Sequence, residues 1–251
     1  EPNASEYFKQ WGFFVPSTGS MGANLPGAWG ETIGSPDVNI AVIDTGIRPH
    51  ADLAERYIGG YDLISTLAVA NDNDGRDSDP SDPGDWTKAG ECGFGSTARN
   101  SSWHGTHVAG TIAAYSDNVS SVAGINWVSK VVPVRVLGKC GGYTSDIVDG
   151  MRWAAGLSVI NVPDNPHPAK VMNLSLGGTG ACTSTYQNAV NEINAAGAVV
   201  VVAAGNSSKD ASGFSPASCV GVVTVAATGK AGNRSYYSNY GSAVEIAAPG
   251  G

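Results

Sequence analysis

The stretch Asn100-Ser-Ser-Trp-His-Gly-Thr-His-Val-Ala-Gly-Thr-Ile-Ala-Ala, residues 100–114, places an imidazole, His104, at the first turn of a small-residue run with helical spacing (Val108, Ala109, Ile112, Ala113). An imidazole at the start of a close-packed helix has few bland roles, and general-base chemistry is the function that suits it. Two other residues stand where they could serve such a base. Asp44 ends the apolar run Val38-Asn-Ile-Ala-Val-Ile43, so its carboxylate would emerge at the rim of a sheet and could accept the proton of an imidazole nitrogen. The bland alternative is an aspartate capping the next turn. Asn206 follows Ala203-Ala-Gly at the end of another apolar run. Asparagine is a common turn residue there, and its amide is also a donor that could meet a developing oxyanion.

These side chains need a frame. A strand is expected over 38–43, a helix from His104, a β-branched strand over 131–137 and a helix near 145–155. Further strands are expected over 170–176, 198–205, 221–227 and 243–248, with a helix over 184–196; a short helix is expected near 27–31. Strands alternating with helices at this spacing predict an α/β fold with a doubly wound, mostly parallel sheet and helices on both faces. Ligands of such sheets sit at the carboxyl ends of the strands, where Asp44, Ser175 and Asn206 fall. No repeat, linker or low-complexity tract divides the chain, so residues 1–251 are read as one domain.

The totals agree with a packed domain. The chain has 251 residues, 42% hydrophobic and only 14% charged, with a net charge of −8. That balance gives no nucleic-acid footprint, and no apolar run reaches the length of a membrane span. The start at Glu1-Pro2-Asn3 is the start expected of a processed mature chain or a trimmed one. Cys92, Cys140, Cys182 and Cys219 lack metal or redox spacing and suggest two disulfides in a secreted protein. Of the three pairings that four cysteines permit, 92–140 with 182–219 is preferred, because it needs the least chain rearrangement.

Four motifs, Val42-Ile-Asp-Thr-Gly-Ile47, His104-Gly-Thr-His-Val-Ala-Gly110, Met172-Asn-Leu-Ser-Leu-Gly-Gly178 and Ala203-Ala-Gly-Asn206, resemble those of the subtilisin-like serine proteases in the family's own chain order. The resemblance covers most of residues 28–250. It implies a secreted, monomeric endopeptidase acting on polypeptides, with Asp44 and His104 as two members of a Ser-His-Asp triad and Asn206 as oxyanion donor. It also implies that Ser175, Leu176, Gly177, Gly141 and Gly142 pair with extended substrate, while Ala204 and Gly205 form the opposite wall of the first specificity pocket. His107 is read as a core histidine. The family's nucleophile lies in a Gly-Thr-Ser-Met-Ala signature that has no counterpart here, and no serine present fits, Ser215 and Ser218 included. The expectation is therefore that a further segment of the same protein supplies it.

Calcium is the expected cofactor. Asp52 and Asn118 match family positions that ligate a structural calcium. Between Asp44 and His104, six aspartates fall within 14 residues from Asp72 to Asp85. Hard oxygens among Gly and Pro turns suit Ca²⁺, with Asp72, Asp77 and Asp79 as ligands, although the EF-hand spacing fails; a plain solvated loop is the alternative. An aspartic protease would need a second Asp-Thr-Gly, and a dinucleotide fold a third glycine after Gly178-Thr-Gly180; neither is present. The remaining rival is a protease-like fragment that binds peptide and calcium without cleaving.

Overall fold

The computed structural model describes residues 2–251. Its centre is a seven-stranded, wholly parallel sheet. The strands are β1 Asn39–Asp44, β2 Tyr61–Asp62, β3 Lys130–Arg135, β4 Val171–Leu174, β6 Val199–Ala203, β8 Val222–Thr228 and β9 Ile246–Pro249, in the spatial order β2-β3-β1-β4-β6-β8-β9. A separate antiparallel pair joins β5 Gly178–Thr179 to β7 Phe214–Ser215. The helices are α1 Leu25–Glu31, α2 Leu67–Ala70, α3 His104–Ala113, α4 Thr144–Ala154 and α5 Ser184–Ala195. The α/β expectation holds.

The topology reverses beside β1. From β1 the chain passes to β3 by way of α3 on one face, then crosses back past β1 to β4 by way of α4 on the other. Loops leaving the carboxyl ends of β1 and β4 diverge there, and that divergence opens a crevice.

The two faces of the sheet are covered unequally. Ala41, Ile43, Met172, Leu174, Val200, Val202 and Val222 point toward α4 and α5 and are all but fully buried. On the opposite face α3 covers only Val42 of β1 and Val131 of β3. Beyond that cover the same face continues through Val199, Val201, Val223 and Val225 to Ile246, with Val199 46% and Ile246 57% exposed.

Several details depart from the sequence reading. Strand β2 is two residues long, too short to show a period of two, and exists because its backbone finds β3. The β5–β7 pair was not expected either, for the same reason. His107 is exposed rather than in the core. The buried stripe of α3 is Gly105, Ala109 and Ala113, and His107 lies off it.

Both preferred disulfides are present, Cys92–Cys140 and Cys182–Cys219. The acidic segment is pinned by arginines. Arg135, 1% exposed at the end of β3, pairs with Asp62 and Asp72 and donates to the Ala70 carbonyl. Arg76 bridges Asp146 and Asp149 of α4, each at 2.8 Å.

α3 approaches β1 so closely that a Cβ on Gly105 would lie 2.3 Å from the Gly46 carbonyl oxygen and 3.2 Å from the Asp44 Cβ. A Gly105→Ala substitution is therefore expected to push the helix off the strand end and to destabilise the domain by about 1–3 kcal/mol, the range for overpacking. Urea denaturation checks this; an unchanged midpoint would mean the helix has room that the geometry denies.

Candidate active site

Asp44 is the last residue of β1 and is fully buried. A carboxylate can stay there only if its oxygens are hydrogen-bonded. Oδ1 accepts from the Thr45 amide at 2.7 Å, and His104 Nδ1 lies 2.8 Å from Oδ1 and 2.9 Å from Oδ2. Thr45 Oγ1 then ties the two elements together, since it accepts from the Gly105 amide at 3.0 Å and donates to buried Asp82 at 2.8 Å.

The lead-in to α3 is held from the acidic segment. Asp85 accepts from the Ser102 amide at 2.6 Å and from its hydroxyl at 2.8 Å. Ser102 Oγ accepts from the His104 amide at 3.3 Å, and Trp103 between them takes a left-handed backbone (φ 52°) under the Arg48 guanidinium.

The His104 side chain is 46% exposed and lines the crevice. The hydrogen bond that Nδ1 donates to Asp44 holds its pKa above the usual imidazole value; burial opposes the shift, and the charges of Asp44 and Asp85 add to it. Among the described residues no serine hydroxyl bonds this ring. The pair can orient one imidazole tautomer and stabilise its protonated form, the job of an acid–base couple.

His104 opens on a cleft of 810 Å³. Gly141 and Gly142 line it, as do Ser175, Leu176 and Gly177, which follow β4. The sequence reading assigned these five to pairing with extended substrate, and they line one cleft. It placed Ala204 and Gly205 on the pocket wall, and they do not line this cleft. Ala204 is buried with its carbonyl accepting from Asn239, whereas Thr179 and Ser215 of the β5–β7 pair do line the cleft. Asn206 lies past the end of β6, exposed, and among the described residues its side chain makes no hydrogen bond.

A further wall was missed. Asp85, Thr87, Ser96, Thr97, Arg99 and Ser102 line the cleft from a loop that folds back on itself at Thr87 and Arg99. The Cys92–Cys140 bond ties this loop beside Gly141. The preferred disulfide pairing was the one signal able to place it there.

The metal expectations divide. Asp52 is 4% exposed; its Oδ1 accepts from Asn118 Nδ2 at 2.8 Å, and its Oδ2 is buried without a hydrogen-bond donor. A buried carboxylate oxygen lacking a donor suits a hard cation. In the acidic segment, Asp72 is taken by Arg135, while Asp77 and Asp79 accept from the amides of Asp79 and Ser81 in successive turns. Asp74, rather than Asp79, approaches Asp72 and Asp77; partial desolvation and these two neighbours raise its pKa. Among the described residues no three acidic, His or Cys side chains form a metal cage, so Asp72, Asp77 and Asp79 do not assemble as expected. No described helix is long and apolar enough to cross a membrane.

The Subtilase family model matches residues 35–251. The chain is 51% identical over 249 residues to the extracellular protease of Xanthomonas campestris pv. campestris, covering 99% of this chain and 42% of that protein. It is 36% identical to the thermitase of Thermoactinomyces vulgaris over 92% of this chain and 69% of the relative. A solved structure of proteases from Pseudoalteromonas arctica PAMC 21717 superposes with a TM-score of 0.96 at 55% identity, covering all of this chain and 72% of that one. The chain thus spans less than half the length of the Xanthomonas relative. With the family's fold, its motif order and a model match over most of its length, this chain is a member of the subtilase family.

Proposed function

We propose that this chain supplies the acid, the base and the oxyanion donor of a secreted serine endopeptidase that hydrolyses peptide bonds. The observation that carries the reading is the buried Asp44 carboxylate, both of whose oxygens lie within hydrogen-bond distance of His104 Nδ1 at the mouth of a peptide-sized cleft. Polypeptide lies extended between the 138–142 and 175–179 segments, pairing with their backbones as an added strand. His104 takes the proton of a serine hydroxyl as that oxygen attacks the substrate carbonyl, Asp44 stabilises the imidazolium, and the Asn206 amide donates to the oxyanion. The imidazolium then protonates the leaving amine, and water releases the acyl group by the same route.

The serine comes from polypeptide outside these 251 residues. The open apolar face from Val199 to Ile246 supports this, because a row of valines on a central sheet is stable only under cover. The names of the relatives, extracellular proteases from Xanthomonas and from Dichelobacter nodosus, are consistent with secretion. The working molecule is read as a monomer.

Labelling with a fluorophosphonate tests the reading. A labelled serine on polypeptide continuous with or bound to this chain is the expected result. Complete absence of label from the secreted, native protein would leave the peptide-binding reading instead.

The pH profile gives a second test. Protonated His104 cannot accept the serine proton, so activity is lost as pH falls through its pKa. Because Asp44 raises that pKa, the acid limb of kcat/KM is expected to have its midpoint above about 6.5, the ordinary imidazole value. Asp44→Asn is expected to lower that midpoint and to cut kcat by about 10⁴. A midpoint at or below the ordinary value in the wild type would contradict the pairing.

Calcium is proposed at Asp52 and Asn118, where it would brace the stretch after α3 against the loop after β1. Calcium at about 100 times its dissociation constant is expected to stabilise the native state by about 2.7 kcal/mol, and Asp52→Ala to abolish that gain. Equal melting temperatures in calcium and in EDTA would count against the site.

A further inference from the structure

We infer that Asn239 is the positioning residue of the oxyanion turn, an inference that rests on the reading of Asn206 as the oxyanion donor. Asn206 sits in the middle of the turn 204–209, exposed, with no hydrogen bond of its own side chain among the described residues. A free asparagine there would sample several rotamers, whereas oxyanion stabilisation needs a donor already aimed. The backbone that aims it is held from beneath by one fully buried side chain.

Asn239 bonds both flanks of Asn206. Its Nδ2 donates to the Ala204 carbonyl at 2.8 Å. Its Oδ1 accepts from the amides of Ser207 at 3.0 Å and Lys209 at 3.1 Å. Its own amide donates to the Gly205 carbonyl at 2.9 Å. A single amide side chain thus provides one donor upstream of Asn206 and two acceptor contacts downstream, from a nitrogen and an oxygen held apart in one rigid plane. Gly205 has φ +106°, and a Cβ there would lie 2.5 Å from Asn239 Nδ2, so turn and side chain are in direct contact.

The segment that carries Asn239 backs the turn along its length. Ser208 donates to the Tyr237 carbonyl at 2.8 Å, Tyr240 to the Lys209 carbonyl at 3.0 Å and Ala211 to the Tyr240 carbonyl at 2.7 Å. These contacts fix where the turn lies; the Asn239 side chain fixes the shape of the backbone on either side of residue 206. A turn shifted by about 1 Å would still bind substrate but would meet the tetrahedral intermediate poorly, so the cost falls on kcat.

The test uses the secreted full-length protein whose serine labels with fluorophosphonate, and compares Asn239→Asp, Asn206→Ala and the double variant. The aspartate is isosteric and keeps the acceptor oxygens but loses the donor to Ala204. N239D is expected to lower kcat by about tenfold to a hundredfold with KM little changed. N206A is expected to lower kcat by about 10²–10³, the cost measured for the corresponding donor of subtilisin, and N239D should then add no further loss. Full additivity of the two losses, or an unchanged kcat in N239D, would overturn the inference. A labelled enzyme whose kcat is unaffected by N206A would instead overturn the reading of Asn206 itself. Hydrogen exchange on the wild type guards against a variant that does not fold: the Ser207 and Lys209 amides are expected to be protected, and exchange at the rate of free amides would show that Asn239 does not hold them.

Discussion

The structure turns on one buried charge. Asp44 has no exposed surface, and a carboxylate in that position is tolerable only if donors are brought to it. One donor is local, the next amide in the chain. The other requires that an imidazole from 60 residues away arrive at hydrogen-bond distance. That single demand explains the close seating of α3 on β1, the bare glycine at 105, and the Thr45 hydroxyl that links the Gly105 amide to Asp82. It also explains the left-handed residue before the helix: Trp103 takes a conformation costly for a side chain so large, and the Asp85–Ser102 clamp and the Arg48 stack hold it there.

The sheet around this pair is divided in its energetics. The face under α4 and α5 is a closed core of aliphatic side chains. The face that carries α3 is closed only over β1 and β3, and past them the valines of β6 and β8 keep contact with solvent. Parallel strands ordinarily bury both faces. The half-open face and the half-exposed His104 lie on the α3 side of the sheet, so whatever covers the one also approaches the other.

The segment between β1 and α3 shows how charge density is managed. Six aspartates in a short run repel each other unless something positive or solvent intervenes. Arg135 and Arg76 do part of that work by reaching in from the end of β3 and across to α4. Asx turns at Asp77 and Asp79 use carboxylate oxygens on backbone amides. What remains carries Asp85 to the foot of α3, so an apparently accessory loop sets the approach to His104 and, through Cys92–Cys140, one wall of the cleft.

Much of this was legible in the residues alone. Continuous aliphatic runs at 199–203 and β-branched runs at 131–136 declare parallel strands, because such strands carry apolar side chains toward both faces of the sheet rather than on alternate residues only. Asp44, His104 and Asn206 are legible as strand-end and helix-start residues for the same reason: local pattern sets where an element stops, and parallel strands put all their stops on one edge. Contacts without a local pattern were not legible. The two-residue strands, the exposure of His107, the capture of Asp72 by Arg135 and the grip of Asn239 on the 204–209 turn depend on segments far apart in the chain, and no periodicity records which distant group will arrive. The sequence by itself determined the fold class and the chemistry on offer. Tertiary packing decided which polar groups found partners, because a buried donor or acceptor is satisfied by whatever the fold brings to it.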